Sequence, residues 1–318
     1  MAALRPQSAA PLIRIRTVPR RRVPSMPPDS RRLRGIVLII GAFSLFPLSD
    51  AAAKYLTDTM HALQITWIRT LCHLAIFAVV VLARHPRAIL RSQRPGLQFW
   101  RGAAGYMSHV PFFAALAFIP LGDAFAAGLV GPLFVTALSM PLLGEHVGWR
   151  RWTAVAVGFA GAMIVVRPGL GLVHWATVLP VFAALFFALF QIATRRLAQH
   201  DHPEATLLIG TFWGLVLATL PLPFYWTGIA MEDLLYIAIM SGVSAAAHFF
   251  LAKALQLTPA SLLAPFAYLQ LITAIGFGYW LFGDVPDAFM LLGSALIAGS
   301  GLYVALRERT LARRAGAA

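Results

Sequence analysis

The chain has 318 residues, 59% of them hydrophobic and only 12% charged, with a mean hydropathy of +0.74, and that composition excludes a soluble globular domain of this length. The formal net charge of +14 does not point to nucleic acid, because the basic residues gather at the ends of apolar runs rather than along one amphipathic face. A single cysteine, Cys72, excludes an intrachain disulfide framework and a cysteine metal cluster, and its apolar surroundings mark it as a small packing residue.

Residues 1–34 are rich in Arg and Pro and lack the apolar core of a secretory signal. Three readings fit: a disordered basic cytoplasmic tail held near anionic headgroups, an Arg-rich transit segment, or an extension upstream of a true start at Met26. Ten apolar runs follow, at Ile36–Tyr55, Gln64–Ala83, Phe99–Ile119, Ala124–Leu143, Trp152–Val166, Val173–Ala193, Ala205–Trp226, Leu234–Leu255, Leu262–Phe282 and Ala288–Leu306. A helix needs about 20 apolar residues to cross a bilayer. The fold class expected is therefore an all-α polytopic membrane protein with ten transmembrane helices. The short fifth run extends back over Arg150 and Arg151 if their charged heads snorkel to the interface. Prolines inside the runs, such as Pro47, Pro111 and Pro265, are tolerated where neighbouring helices satisfy the freed carbonyls.

All 26 Lys and Arg except Lys54, Arg69 and Arg167 fall on one side of the membrane, in the tails, in alternate connections or, for Arg101 and Lys253, within two residues of a run end bordering those connections. The positive-inside rule then places both termini in the cytoplasm, and a cell inner membrane is the expected location. Trp100, Trp149, Trp152, Trp175, Trp226 and Trp280 lie near run ends, where interfacial anchors belong.

Shifted by 139, the sequence aligns with itself. Ala115–Leu116 falls on Ala254–Leu255, Pro120 on Pro259, and Gly144–Glu145 on Gly283–Asp284. Farther upstream the offset is 141, and Asp50–Lys54 falls on Gln191–Arg195. Each half holds five runs, an odd number, so the second half must insert upside down relative to the first. Inverted repeats of this kind place a substrate site near the midplane between the halves. The division expected is a basic tail over 1–34, repeats over 35–168 and 169–306, and a cytoplasmic tail over 307–318. The "AL…P" element and the segment from Pro132-Leu133 to Gly144-Glu145 resemble the EamA family of the drug/metabolite transporter superfamily over about residues 35–306. The resemblance implies two inverted five-helix halves around a central cavity and secondary transport by alternating access. Gly283–Asp284 departs from the Gly-Glu usual in that pattern.

Charged groups at membrane depth cost roughly 2.5–3.5 kcal/mol on insertion scales, so each needs a partner or a task. Asp50 and Arg69 are equidistant from a turn near residues 59 and 60, which makes them ion-pair partners on adjacent helices, about 9 Å below the outer face at 1.5 Å per residue. Lys54, one turn after Asp50, also reaches it or snorkels outward, and His73 lies one turn beyond Arg69. This group is either a charged element contacting substrate at the outer mouth or a static lock between two helices. His109 and His248 are related by the offset of 139 and land near the midplane. They bind substrate or carry a proton, or else they pack helices through backbone hydrogen bonds. Gln191, Tyr268, Gln270 and Tyr279 are further cavity candidates, and Trp67 is a stacking platform or an interface anchor. Glu145, Asp284 and Asp123 read as caps and loop-ordering residues. Small residues at Ala154, Gly158 and Ala162, and at Ala295 and Gly299, form close packing faces for the bundle or for a homodimer.

No HExxH, GxSxG or P-loop pattern occurs, so neither a motif-bearing enzyme nor an ATP-driven pump is expected, and no cofactor or metal is assigned. No selectivity element repeats around a pore, which disfavours a channel. The function expected is secondary transport of a small polar or zwitterionic metabolite, with proton coupling ahead of facilitated exchange. A lipid or lipid-linked-sugar flippase is the alternative. The partners are that small-molecule substrate and the membrane lipids. The Asp50/Lys54/Arg69 pattern is similar to that of family members moving riboflavin, S-adenosylmethionine or amino-acid-like compounds.

Overall fold

A computed structural model describes residues 28–84, 92–143, 149–166, 174–197, 200–201, 203–257 and 264–315. Every regular element among them is helical. The first half comprises α1 (Pro28–Leu56), α2 (Ala62–Arg84), α3 (Pro95–Leu116), α4 (Leu121–Gly128), α5 (Gly131–Leu143) and α6 (Trp149–Val166). The second comprises α7 (Val178–Leu197), α8 (Pro203–Thr219), the single turn α9 (Leu222–Tyr225), α10 (Asp233–Leu257), α11 (Leu269–Phe277) and α12 (Ala288–Ala315). A 3-10 turn precedes α7 at Trp175–Thr177 and another precedes α11 at Ala264–Tyr268.

Five stretches are long and apolar enough to cross a membrane: Leu33–Leu56, Ala62–Val81, Leu121–Leu138, Trp175–Leu197 and Asp233–Leu251. Shorter apolar helices cover Trp152–Val166, Ala205–Thr219, Phe266–Phe282 and Ala288–Tyr303. With 22 residues α3 has the length, but Gln98, Arg101, Ser108 and His109 interrupt its apolar character. The chain is an all-α, multi-pass membrane protein.

The helices break where backbone chemistry demands it. Between α4 and α5 the helix is interrupted at Leu129 and Val130, and Pro132 then sits in the first turn of α5, where its missing N–H costs nothing. The seventh run was expected to continue to Trp226. Instead α8 stops at Thr219, just before Leu220-Pro221, because the residue preceding a proline is pushed out of the helical region. Downstream of α11, a π-type turn at Gly278–Phe282 ends on Gly283, whose φ of +70° suits glycine alone among common residues.

Packing follows a regular order. Along its length α1 lies against α10, and α3 lies against α7 and α8; α2 meets α8 and α10, α6 meets α12, and α4 meets α11. Exchanging α1, α2, α3, α4–α5 and α6 with α7, α8, α10, α11 and α12 leaves this set of pairs unchanged. Helices inside lipid gain little from apolar burial, so close approach through small residues carries the association. A Cβ on Gly161 of α6 would stand 2.7 Å from the Gly293 carbonyl of α12, and one on Gly158 would strike Leu133 and Ser300. Gly158, with buried Ala154 and Ala162, thus faces the bundle. Ala295 and Gly299 are exposed, and the α12 contact runs instead through Gly293, Ile297 and Ser300.

Candidate functional site: a buried charge and histidine cluster

The α1–α2 hairpin turns over residues 57–61 and sets Asp50 beside Arg69. Arg69 Nη1 stands 3.4 Å from Asp50 Oδ1, with both residues deeply buried at 5% and 7% exposure. Arg69 Nη2 donates to Ser244 Oγ on α10 at 2.8 Å, and the guanidinium lies over the Phe113 ring of α3 at 5.2 Å. One side chain therefore joins four helices. Its Nε is buried with no hydrogen-bond partner. Ser244 was not among the expected site residues, although it stands one turn before His248.

Three histidines adjoin the pair. His73, one turn beyond Arg69 on α2, packs edge-on to His248 of α10 with ring centroids 5.3 Å apart. His73 Nε2 is likewise buried without a partner. His109 Nδ1 lies 2.7 Å from the Gly105 carbonyl, and His248 Nδ1 lies 2.8 Å from the Ser244 carbonyl. A carbonyl can only accept, so in each ring Nδ1 carries the proton and Nε2 is left as the acceptor. Gly105 and Ser244 are related by the same offset of 139 as the histidines, so the two halves build this arrangement alike. His109 packs against Phe113 at 6.0 Å, and Phe46 meets His248 edge-on at 4.9 Å.

Lys54 goes elsewhere than expected. Its Nζ donates to the Ile119 carbonyl at 2.7 Å and the Leu116 carbonyl at 3.3 Å, at the C-terminal end of α3, where the helix dipole favours a cation. Asp50 is thus left to Arg69 alone. The other candidates do not join the cluster. Gln191 is exposed on α7, Gln270 is half-buried, and the Tyr268 hydroxyl abuts Gly301 of α12. Tyr279 is exposed. Trp67 Nε1 donates to Thr219 Oγ1 at 2.9 Å and meets Trp226 edge-on, which fits an interfacial anchor. Asp284 Oδ2 accepts from the Leu121 N–H at 3.4 Å, at the start of α4, and Asp123 lies in that helix's first turn. Glu145 and Arg167 lie outside the described residues. Among the described residues no group of three His, Cys, Asp or Glu comes together to hold a metal ion.

Polar clasps tie the helix ends on either side of this cluster. On one side Thr59 Oγ1 donates to Asp233 Oδ1 at 3.0 Å, and the Gln64 amide exchanges hydrogen bonds with the Thr227 backbone at 2.9 Å. On the other, Asp201 accepts from Ser92 Oγ, from the Gln93 N–H at 2.7 Å and from Gln98 Nε2 at 2.8 Å. Burial pushes the Asp201 carboxyl up, but these three donors and His200 outweigh it and hold it below its ordinary value.

Known proteins share this arrangement of helices. The family model for EamA-like transporters matches residues 33–167. A riboflavin transporter of Vibrio cholerae is 31% identical over 292 residues, covering 89% of this chain and 96% of that protein. The chain belongs to the EamA-like transporter family. An S-adenosylmethionine uptake transporter of Rickettsia prowazekii is 23% identical over 280 residues, 87% of this chain and 94% of its own. A solved crystal structure aligns with 89% of the chain and 99% of its own length, at a TM-score of 0.59 and 19% identity, and shows a shared fold. Membership of a transporter family points to transport rather than catalysis as the work of this protein.

Proposed function

We propose that this EamA-like protein is a secondary transporter of a small polar or zwitterionic metabolite, working by alternating access with proton coupling, and that the Asp50, Arg69, His73, His109 and His248 cluster is its substrate and proton site. The observation that carries this reading is Arg69, a guanidinium buried between four helices with an unused Nε, beside two imidazoles whose Nε2 atoms are poised to accept a proton. A solute carboxylate or polar ring edge can take the place of Asp50 on Arg69, and protonation of an imidazole balances the charge it brings.

The fold supports two inverted five-helix repeats, 35–168 and 169–306, making ten transmembrane helices with both termini in the cytoplasm. The exchange-invariant packing and the matched His109–Gly105 and His248–Ser244 pairs argue for it. The tails over 1–34 and 307–318 lie outside the transport unit, lipid surrounds the bundle, and a homodimer would use the exposed Ala295 and Gly299 face of α12. Relatives named for riboflavin and S-adenosylmethionine make those compounds the first candidates and do not favour a lipid flippase. The test is uptake of labelled riboflavin and S-adenosylmethionine into proteoliposomes under an imposed pH gradient. Saturable, gradient-driven accumulation of either solute is the expected result. Lipid movement between leaflets, with no solute uptake, would overturn the proposal.

A further inference from the structure

Arg101 is the second buried guanidinium. In the sequence it counts with the basic residues around the connection before α3, on the side expected to be cytoplasmic. The structure leaves it 5% exposed inside α3. Nε donates to Thr194 Oγ1 of α7 at 2.7 Å, Nη1 donates to the Thr206 carbonyl of α8 at 3.0 Å, and the guanidinium lies 4.4 Å from the Phe190 ring centroid. Arg69 pairs with Asp50, but no carboxylate among the described residues pairs with Arg101. A long side chain two turns from its helix end would ordinarily snorkel to water. This one is turned inward and held by neutral acceptors, at the energetic disadvantage of a buried unpaired charge.

Its position mirrors that of Arg69. Residue 69 falls on Gly210 under the internal repeat, and the Arg101 guanidinium fills the space directly against Gly210. Arg69 stands seven residues after the start of α2, and Arg101 six after the start of α3. Because α2 and α3 run in opposite directions, the two cations lie at similar depths from opposite faces. A crevice lies at the same end of α3. On one face of α3, Arg94, Leu97, Gln98 and Arg101 follow at helical spacing. Arg94 and Leu97 line a crevice of about 630 Å³, whose opposite wall includes Arg196 and His200. One residue farther along α3, Gln98 is fully buried; its Nε2 donates to Asp201 at 2.8 Å and its Oε1 has no hydrogen-bond partner.

We infer that Arg101, with Gln98 beside it, forms a second anion station near the cytoplasmic end of the pathway, so that the transported solute bears a carboxylate or comparable anionic group passed between Arg69 and Arg101. Arg101 Nη2 and the basic crevice attract the anion, while Gln98 Oε1 accepts from a donor on the same solute. This rests on the transporter reading and narrows it, because a carboxylate matches the planar fork of a guanidinium at both stations, whereas a neutral ring edge leaves both buried charges uncompensated.

The test uses the full-length protein purified in detergent, with formate as the anion, formamide as its uncharged match, and ionic strength held constant with sodium chloride, which carries no carboxylate. Formate, and not formamide, should raise the midpoint of thermal unfolding. Arg101→Gln should lose at least half of that rise, and Arg69→Gln should keep the part that belongs to Arg101. Should Arg101→Gln fail to fold, Arg101→Lys keeps the charge without the planar fork and should lose a similar share. A formate effect unchanged in the Arg101 variants, or equal effects of formate and formamide on the wild type, overturns the inference. Uptake of S-adenosylmethionine is followed on the same preparation. Uptake without any formate effect sinks the second station and leaves the carrier standing, whereas a formate effect lost with Arg101 but without uptake supports the station and removes that solute.

Discussion

Removing either partner of the Asp50–Arg69 pair strands the other as a buried charge. Arg69→Gln leaves the Asp50 carboxylate at 7% exposure with no cation in reach, since Lys54 is committed to the end of α3. Loss of one partner of a buried pair costs about 3–5 kcal/mol. Asp50→Asn strands Arg69 in the same way. The double variant Asp50→Asn/Arg69→Gln holds no stranded charge. It loses the ion pair, the 2.8 Å bond to Ser244 and the Phe113 contact. Hydrogen bonds inside membrane proteins average roughly 0.6 kcal/mol, so the double variant should lose about 1–2 kcal/mol and be more stable than either single variant. Thermal unfolding in detergent reads that recovery, and proteoliposome uptake reads function. The expected result is a rescued fold with uptake still abolished, because the proposed mechanism needs Arg69 for the solute and not only for helix contact. Wild-type uptake in the double variant would show the pair to be a static lock and would refute the reasoning. Single variants as stable as wild type would refute the energetics.

Three further outcomes follow from particular groups. His109→Gln and His248→Gln each remove an Nε2 proton acceptor, so proton-driven accumulation should be lost while solute exchange at equal pH persists, which is read by uptake with and without a gradient. Asp201 titrates below its ordinary value, so its clasp contributes fully above about pH 4 and is lost as pH falls further. The protection factor of the Gln93 amide against hydrogen exchange, taken relative to its intrinsic rate at each pH, should fall over that acid range in the wild type and be low at every pH in Asp201→Asn. Gly283→Ala forces an L-side chain to a φ of +70°, and a loss of about 1–2 kcal/mol in unfolding is expected, with no change in solute affinity.

Much of the fold was legible because lipid imposes it. Runs such as Gln64–Ala83 announce helices by length and apolarity alone, and the odd number of runs per half is what leads to the expectation of an inverted copy. Interruptions were less legible, because the break at Leu129 and Val130 lies within a continuous apolar stretch and only the following Gly131-Pro132 hints at it. In the site, Asp50 and Arg69 could be paired because both count equally from one short turn. Lys54 could not be placed, since its partners are carbonyls at the end of α3, invisible to any pairing of charges. Arg101 escaped for another reason. A basic residue near a helix end reads as interfacial until packing shows that Thr194, Thr206 and Phe190 turn it inward. Gln191 and Tyr268 had the right polarity in the right helices but project toward the outside and toward Gly301.

Counterflow tests the carrier mechanism most directly. Proteoliposomes preloaded with unlabelled solute are diluted into trace labelled solute, with no pH gradient. If one site faces each side in turn, internal solute accelerates labelled entry, and a transient accumulation above equilibrium appears. Entry that rises linearly with concentration and ignores the internal solute would contradict alternating access and, with it, the role assigned to the buried cluster.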